Sequence, residues 1–140
     1  MIILDTNVLS ELMRPHPSPR VSGWVAKQSV GELCTTSITE AEILFGIELL
    51  AKGKRREQLL AAADAMFAED LAGRIHGFES DAAKAFAKIA ARRRGLGRPI
   101  GHADAQIAAI AQVRTAKLAS RNVDDFRDCD IEVVDPWTAD

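Results

Sequence analysis

Three acidic residues stand where a polar side chain follows an apolar run or begins a predicted helix: Asp5, Glu42 and Asp104. Asn122, Asp124 and Asp125 follow a further predicted strand, and in a doubly wound sheet such positions can converge on one edge. Clustered carboxylates repel one another and resist ionising unless a cation joins them. Mg²⁺ or Mn²⁺ takes such oxygen ligands, and a metal held in this way can activate water and stabilise charge on a phosphodiester. This chemistry requires neither a nucleophilic side chain nor a histidine base.

The first of these acids ends the first apolar run of the chain. Ile2–Leu4 is typical of a strand buried on both faces of a parallel sheet. Thr6 and Asn7 can turn the chain into a helix predicted over Val8–Met13. Asp5 then lies at the carboxyl end of a central strand, where open α/β sheets place their chemistry. The residue alone supports equally well a second interpretation, in which Asp5 only caps the helix.

Length and composition indicate one globular domain over residues 1–140. A chain of 140 residues can bury a sizeable core, and a hydrophobic content of 47% excludes disorder. The net charge of -2 gives no overall signal for nucleic acid, so a polyanion would need a local patch. No apolar run approaches the roughly 18 residues of a membrane span. Cys34 and Cys129 lack metal-ligand or redox spacing, and a reduced cytoplasmic location is the expectation.

The first half of the chain predicts two short strands and four helices. The second helix begins at Pro19 and runs to about Gln28, and Leu33–Thr36 has the pattern of a strand. Ser37–Glu40 has the form of a capping box and is predicted to begin the third helix. A fourth helix over about Arg55–Glu69 would complete an αα-hairpin. A solvated turn explains the basic tip of this hairpin more simply than contact with RNA: Lys52, Lys54, Arg55 and Arg56.

The second half continues the alternation of strands and helices. Arg74–Phe78, Lys117–Ser120 and Ile131–Val134 are predicted strands, and Ser80–Arg94 and Ala103–Val113 are predicted helices. The last of these helices is so rich in alanine and isoleucine that we expect it to be buried on nearly all sides. Alternating strands and helices predict an α/β fold with a short, mainly parallel sheet flanked by helices.

A nucleic-acid substrate would require positive charge near the acids. Arg98 and Arg121 are the candidates for binding phosphate. The run Arg92–Arg94 ends a predicted helix, where cations complement the helix dipole, and this structural reason is sufficient for it. His102 precedes Asp104 by two residues and could touch a phosphate, although an exposed loop histidine is the simpler interpretation.

Four segments of the sequence together resemble a known family. Ile2–Asn7, Ser37–Glu42, Ala103–Ala109 and Ser120–Phe126 resemble the corresponding segments of PIN-domain ribonucleases. Within that family the chain is similar to the VapC toxins of bacterial type II toxin–antitoxin systems, and to their FitB-like branch in particular. The resemblance spans almost the whole chain, as far as Val133–Trp137.

This resemblance implies a three-layer PIN-like fold and a metal-dependent endoribonuclease. Such a toxin would cleave structured RNA, tRNA or rRNA, to arrest translation, and a VapB-like antitoxin would hold it inactive. The resemblance further implies a homodimer, contact with operator DNA only through the antitoxin, and no association with a membrane. Apolar positions in excess on the first and third helices are expected to form part of a groove for an antitoxin helix: Leu9, Leu12, Ile47 and Leu50.

The resemblance also assigns roles to individual residues. Asp5, Glu42 and Asp104 match the three acids that hold Mg²⁺ or Mn²⁺, and Asp5 and Asp104 are the expected metal ligands. Thr6 matches the hydroxyl residue beside the first acid. Ser120 matches the hydroxyl residue before the last segment of the site, and both hydroxyls are expected to support the acids.

The identity of the fourth acid is open. Some relatives place it at the position of Asn122, whereas others use the acid just before the phenylalanine, which is Asp125 here. We favour Asp125 as the fourth charge and Asn122 as a neutral member of the site, since its carbonyl oxygen can ligate a metal or position water. Asp124 is expected to be a solvated turn residue.

Two other functions fit part of the sequence. A phosphatase with a nucleophilic Asp5 would normally have a second aspartate two residues later, and Asn7 occupies that position. A non-catalytic PIN module that binds RNA without cleaving it is the second alternative, because Asn122 replaces an acid.

Overall fold

Five short parallel strands form the centre of the fold, in a computed structural model that describes residues 1–140. The sheet has the strand order β3-β2-β1-β4-β5, and every neighbouring pair is parallel. The predicted α/β class with a short parallel sheet is therefore confirmed. The strands in chain order are β1 (Ile2–Leu4), β2 (Leu33–Thr36), β3 (Ile75–His76), β4 (Lys117–Ala119) and β5 (Val133–Val134).

Six α-helices cover the two faces of this sheet and give the predicted three layers. One core cluster joins the sheet to the first four helices, and a second joins it mainly to the last two. None of the helices is long and apolar enough to cross a membrane. The helices are α1 (Thr6–Leu12), α2 (Pro19–Lys27), α3 (Ser37–Glu48), α4 (Lys54–Ala65), α5 (Ser80–Gly95) and α6 (His102–Val113).

Strand β1 is buried on both faces, as its unbroken apolar run predicts. Ile3 packs into the core beside α5 and α6, whereas Ile2 and Leu4 pack into the core on the other face. The five consecutive residues Ile107–Ala111 of α6 are all inaccessible to solvent. The expected burial of this alanine-rich helix is therefore confirmed.

Two helices begin earlier than the sequence indicates. Helix α1 starts at Thr6 and not at Val8, because the extended backbone of Asp5 allows its carboxylate to accept the first amide of the helix. The cap of α3 is Thr36, whose Oγ1 accepts the amide of Thr39 at 3.1 Å. Ser37 is therefore the first helical residue, and the predicted capping box lies one position too late.

The αα-hairpin of α3 and α4 is confirmed, but its boundaries differ from those predicted. Helix α3 ends at Glu48, and the turn to α4 includes Gly53, whose φ of 155° favours glycine. Helix α4 ends at Ala65 and continues as a π-helical turn over Met66–Asp70, which buries the apolar side chain of Phe67. The helix therefore changes from α-helical to π-helical winding at residues whose apolar side chains are buried.

Helix α2 and three strands are shorter than predicted, whereas helices α5 and α6 are each one residue longer. Helix α2 ends at Lys27, and strands β3, β4 and β5 contain only two or three residues each. The chain builds β1, β2 and β3 outward in one direction and then crosses to β4 and β5 on the other side of β1. The reversal leaves a crevice outside the carboxyl ends of β1 and β4, the position where open α/β sheets bind ligands.

Candidate active site

Asp5 and Ser120 meet in this crevice although they are 115 positions apart. Leu4 is in register with Ala119 in the parallel pair β1–β4, so the residues that follow these strands are also neighbours. The backbone amide of Asp5 continues the ladder by donating to the carbonyl of Ala119 at 2.9 Å. Strand register therefore places the carboxylate and the hydroxyl together.

Both oxygens of the Asp5 carboxylate have hydrogen-bond donors. Oδ1 accepts the amide of Thr6 at 2.9 Å, which is the predicted helix cap. Oδ2 accepts the hydroxyl of Ser120 at 2.7 Å and the side-chain amide of Asn7 at 3.3 Å. Only 4% of Asp5 is exposed, and this burial raises its pKa above the usual range, with repulsion from Glu42 adding to the effect. Capping thus uses one oxygen, and the other belongs to a buried polar network.

Thr6 connects this network to Glu42. Its Oγ1 donates to Glu42 Oε1 at 2.7 Å and lies 3.2 Å from the hydroxyl oxygen of Thr39. Glu42 is exposed and lies in the second turn of α3, because the helix already begins at Ser37. The predicted position in the first turn is therefore wrong by one turn, yet the side chain still reaches the crevice.

Asp104 lies in the first turn of α6 and is half-buried. Burial and the negative charges of Asp5, Asp125 and Glu42, against the opposing charge of Arg93, together raise the pKa of its carboxyl to about 6. The other three predicted acids therefore all lie close enough for their charges to act on Asp104. The structure brings them together at one edge of the sheet.

The two candidates for the fourth position differ in what they offer the site. Asp125 lies in a short 3₁₀ turn, Val123–Phe126, and its negative charge helps to raise the pKa of Asp104. Asn122 contributes its backbone: its amide donates to Ser120 Oγ at 3.1 Å, and its carbonyl accepts the amide of Asp125. Asp124 points to solvent and pairs with Arg127.

The donors at this edge fit a hydrated Mg²⁺ or Mn²⁺. They are carboxylate oxygens, and the pKa of Asp104 is raised by burial and also by neighbouring negative charges that a cation would offset. No three His, Cys, Asp or Glu side chains form a ready-made set of ligands. This arrangement suits Mg²⁺, which is usually bound through one or two carboxylates and keeps several of its waters.

The predicted cationic residues lie on either side of the acids, and each has a partner. Arg98 forms an ion pair with Asp128, and the guanidinium of Arg121 lies 4.8 Å from the ring centroid of Trp137. Both arginines remain exposed. His102 is also exposed, as expected, and packs its ring edge-to-face against a neighbouring phenylalanine at the start of α6.

Sequence reasoning missed three residues that organise the site. Asn7 donates to both Asp5 and Ser120, and its Oδ1 accepts the backbone amide of Arg121 at 3.1 Å. Thr39 is fully buried beside Thr6, and Arg93 is buried beneath the turn that carries Asp125. Their signal in the sequence was weak: a polar residue directly after a strand–acid junction, and a polar side chain on an otherwise apolar helix face.

Replacing Asp104 by asparagine is expected to stabilise the protein without metal. At about pH 7.5 the carboxyl of Asp104 is charged in both the folded and the unfolded protein. Holding this charge costs free energy only in the folded protein, where its pKa is raised. This penalty is complete above the raised pKa near 6, decreases as the pH falls, and disappears below the ordinary value of 3.8. We expect the gain for Asp104→Asn to be on the order of 1–2 kcal/mol, after allowing for solvent screening of a half-buried group.

Urea unfolding in EDTA at about pH 7.5 and about pH 5 measures this difference. The gain should shrink at the lower pH, as the wild-type carboxyl takes up a proton. Asp81→Asn is the matched control, since Asp81 is an exposed acid in the first turn of α5. A lower stability of Asp104→Asn at the higher pH would mean that Asp104 mainly supports the start of its helix.

Comparisons with known proteins agree with this geometry. The family model described as PIN domain matches residues 2–132. The chain is 35% identical to the VapC ribonuclease Y4jK of Sinorhizobium fredii, with 98% of each chain covered. It is also 35% identical to the toxin FitB of Neisseria gonorrhoeae, over 98% of this chain and 99% of that one.

Solved structures give the same result. The structure of FitAB bound to an IR36 DNA fragment contains a chain that superposes with a TM-score of 0.93 at 34% identity, covering 100% of this chain and 98% of that one. The family model matches nearly the entire length of this chain, which folds around a parallel sheet with acidic residues at one edge. The protein therefore belongs to the PIN domain family.

Proposed function

We propose that this protein is a metal-dependent endoribonuclease toxin that cleaves structured RNA, tRNA or rRNA, and is neutralised by a VapB-like antitoxin. The observation that carries the proposal is the electrostatic coupling of Asp5, Glu42, Asp104 and Asp125 at one edge of the sheet. Relatives of nearly equal length bear the names ribonuclease and toxin, which supports the same activity. The whole chain would act as one PIN domain, in the cytoplasm, where translation takes place.

In the proposed mechanism Asp5 and Asp104 hold Mg²⁺ or Mn²⁺. The bound ion would supply an activated water and stabilise charge on the phosphodiester. Ser120 and Asn7 fix the orientation of the Asp5 carboxylate through its Oδ2 atom. Thr6 fixes Glu42 in the same way, by donating its hydroxyl to Oε1. These hydrogen bonds hold the acids in place before the substrate arrives, as an electrostatic site requires.

Arg121 and Arg98 are the proposed contacts to the RNA backbone. Arg121 follows Ser120 directly, and its side chain is held over Trp137 on the surface beside the crevice. Arg98 reaches the opposite side, where Asp128 holds it. Arginines fixed in this manner offer two donors in a rigid fork, which suits the oxygens of a phosphate.

Incubating the purified protein with a total tRNA pool tests the proposed activity. Cleavage with Mg²⁺ or Mn²⁺ and none in EDTA is the expected result. Binding of RNA without cleavage would favour the non-catalytic RNA-binding module. Hydrolysis of a phosphate monoester would favour the phosphatase. Asn7 argues against the phosphatase, because its side-chain amide donates to Asp5 and Ser120 and cannot act as a general acid or base.

A groove next to the acids offers a site for the proposed antitoxin. Its volume is about 790 Å³, and it lies between α1, α3 and α4. Thr6 and Glu42 line the groove as well as the crevice, so a chain bound here would reach the acids. Arg14 and Arg55 lie at the same surface and favour an occupant that carries acidic side chains. The apolar lining consists of Met13, Ile43, Ile47, Leu50, Leu59 and Ala62.

The sequence-based choice of groove residues is only partly supported by this geometry. Leu50 and Ile47 line the groove, although Ile47 is buried at its floor. Leu9 is only 2% exposed and belongs to the core, and Leu12 packs half-buried against the same core cluster. The prediction is wrong for Leu9, which is buried in the core, whereas the half-buried Leu12 stays a predicted contact outside the lining of this groove.

Leu50→Asp should therefore weaken binding of the antitoxin, whereas Leu49→Asp should not. Leu49 is the neighbouring residue, is exposed and does not line the groove, so it is a matched control. Placing a charge in an apolar groove costs several kcal/mol without a partner, and we expect affinity to fall on the order of a hundredfold. Titration calorimetry with the protein encoded beside this one would measure it. Equal affinities for the two folded variants would contradict the placement.

A homodimer and contact with operator DNA through the antitoxin complete the proposal. The structural neighbour described as FitAB bound to an IR36 DNA fragment supports the expected contact with DNA. Light scattering of the purified protein, followed by gel shift with and without the antitoxin, would test both expectations.

A further inference from the structure

Arg93 is buried in a run whose other two arginines face solvent. Only 5% of Arg93 is exposed, whereas Arg92 and Arg94 are both exposed at the end of α5. A helix dipole explains a cation at this end of the helix but does not require a buried one. Burying an unpaired charge is costly, so the guanidinium must be compensated by its neighbours.

Backbone carbonyls provide the hydrogen bonds that compensate this charge, which also acts on the carboxyl of Asp104. Nε of Arg93 donates to the carbonyl of Arg98 at 2.8 Å, and Nη1 donates to the carbonyls of Asp125 and Arg127 at 2.7 and 3.0 Å. Arg93 forms none of the five ion pairs of the structure. One side chain thus satisfies three carbonyls that come from two separate segments.

These two segments carry, or lead to, two of the four acids. The carbonyls of Asp125 and Arg127 belong to the 3₁₀ turn and its end, which local backbone bonds, the Arg127–Asp124 side-chain bond and the buried Phe126 also hold. Arg98 belongs to the loop that leads into α6, where Asp104 lies in the first turn. The guanidinium therefore spans the gap between the supports of Asp125 and Asp104.

We propose that Arg93 is a positioning residue that sets the separation of Asp125 and Asp104 by holding their two supporting segments together. The inference rests on the proposed nuclease function, because it concerns two of its acids. Arg93 is buried, and its guanidinium donates to none of the four carboxylates. The planar fork of an arginine can donate to three carbonyls at fixed angles, which the single ammonium of a lysine cannot reproduce.

Arg93→Lys tests this role because it keeps the charge and removes the fork. On one RNA with Mn²⁺ we expect kcat to fall on the order of tenfold, with KM changed by less than about twofold, as for a misplaced catalytic group. Arg92→Lys and Arg94→Lys make the same exchange on the exposed face and should retain both constants. Melting temperatures must be recorded for all three, so that loss of fold is separated from loss of position.

A double variant separates positioning from general stability. If Arg93 acts through Asp125, adding Arg93→Lys to Asp125→Ala should cost nothing more than Asp125→Ala alone. An equal tenfold loss in both backgrounds would overturn the proposal, since a merely structural defect is independent of Asp125. Equal kcat values for the three lysine variants would also overturn it.

Amide exchange provides a measurement that does not depend on activity. The amides of Asp125 and Arg127 close the 3₁₀ turn by donating to Asn122 and Asp124. In Arg93→Lys they should exchange faster, while those of α3 remain protected. If the wild-type protein fails to cleave RNA, the proposed function fails, and unchanged exchange in this turn would still separately overturn the positioning role.

Discussion

Asp5→Ala should abolish metal-supported cleavage of RNA, a loss on the order of a hundredfold or more. Asp5 is the most buried of the four acids and the one whose carboxylate is fixed by three donors. Its negative charge would attract the proposed metal to the carboxyl end of β1. Without that charge the remaining acids would form a weaker and wider site.

Asp5→Asn provides the matched variant, because it keeps the oxygen that caps α1. Its Oδ1 can still accept the amide of Thr6, so the start of the helix should survive, while the charge is lost. We expect cleavage to be lost in both variants, and the melting temperature to fall more in Asp5→Ala. Asp124→Asn removes a nearby solvated acid and should retain activity.

Single-turnover cleavage of one RNA, with Mn²⁺ titrated for each variant, measures the effect. If Asp5→Asn cleaved at the wild-type rate, Asp5 would serve only as a helix cap. Undiminished cleavage in EDTA would exclude the metal mechanism itself.

The sequence predicted the positions of the acids because strand ends are visible in it. An unbroken apolar run such as Ile2–Leu4 indicates a strand buried on both faces, and the residue after it must lie at the sheet edge. The alanine-rich pattern after Asp104 likewise indicates a helix with no solvated face. Convergence at one edge then follows from the rules of parallel α/β sheets.

The polar network around the acids was not predictable in the same way. Asn7 and Thr39 act through partners that are distant along the chain, and their pairing depends on the register of β1 with β4 and β2. Hydrophobic periodicity carries no information about such pairs. Arg93 shows the same limitation, because its two neighbours are also arginines and only the packing of α5 decides which one is buried.

The predicted start of helix α3 was wrong for a local reason. The S-x-x-E pattern at Ser37 predicted a cap there, but Thr36 precedes it, and its hydroxyl reaches the amide of Thr39 first. Glu42 is the sixth residue of α3 and would be the fifth with Ser37 as the cap, so it lies beyond the first turn in either case. Its function in the site survives because the side chain is long enough for Oε1 to meet Thr6.

The proposed active site and the proposed antitoxin groove share two side chains. Thr6 and Glu42 belong to the acidic crevice and also line the apolar groove. An antitoxin segment that fills the groove would therefore need only a short extension to reach the acids. Proximity of this kind allows one binding event both to hold the toxin and to block its substrate.

The second large effect concerns the fourth acid: Asp125→Ala should remove most of the cleavage rate, and Asn122→Ala should remove less. The charge of Asp125 acts on Asp104, and its carbonyl is held by Arg93. Asn122 supports Ser120 through its backbone amide, which an alanine keeps. Both side chains are exposed, so the expected difference rests on the charge of Asp125. Removing a charge that an electrostatic site uses commonly costs on the order of a hundredfold, whereas removing a neutral exposed side chain costs little.

Asn122→Asp is the informative converse, because it adds a carboxylate where some relatives carry one. If position 122 faces the metal, this variant should bind Mn²⁺ more tightly and preserve or raise the rate, and if it faces solvent, neither should change. Asp124→Ala is the control, as Asp124 is exposed and paired only with Arg127. Mn²⁺ titration beside single-turnover cleavage would measure both quantities. An inactive Asn122→Ala beside a fully active Asp125→Ala would reverse the assignment and leave a site of three carboxylates and one amide.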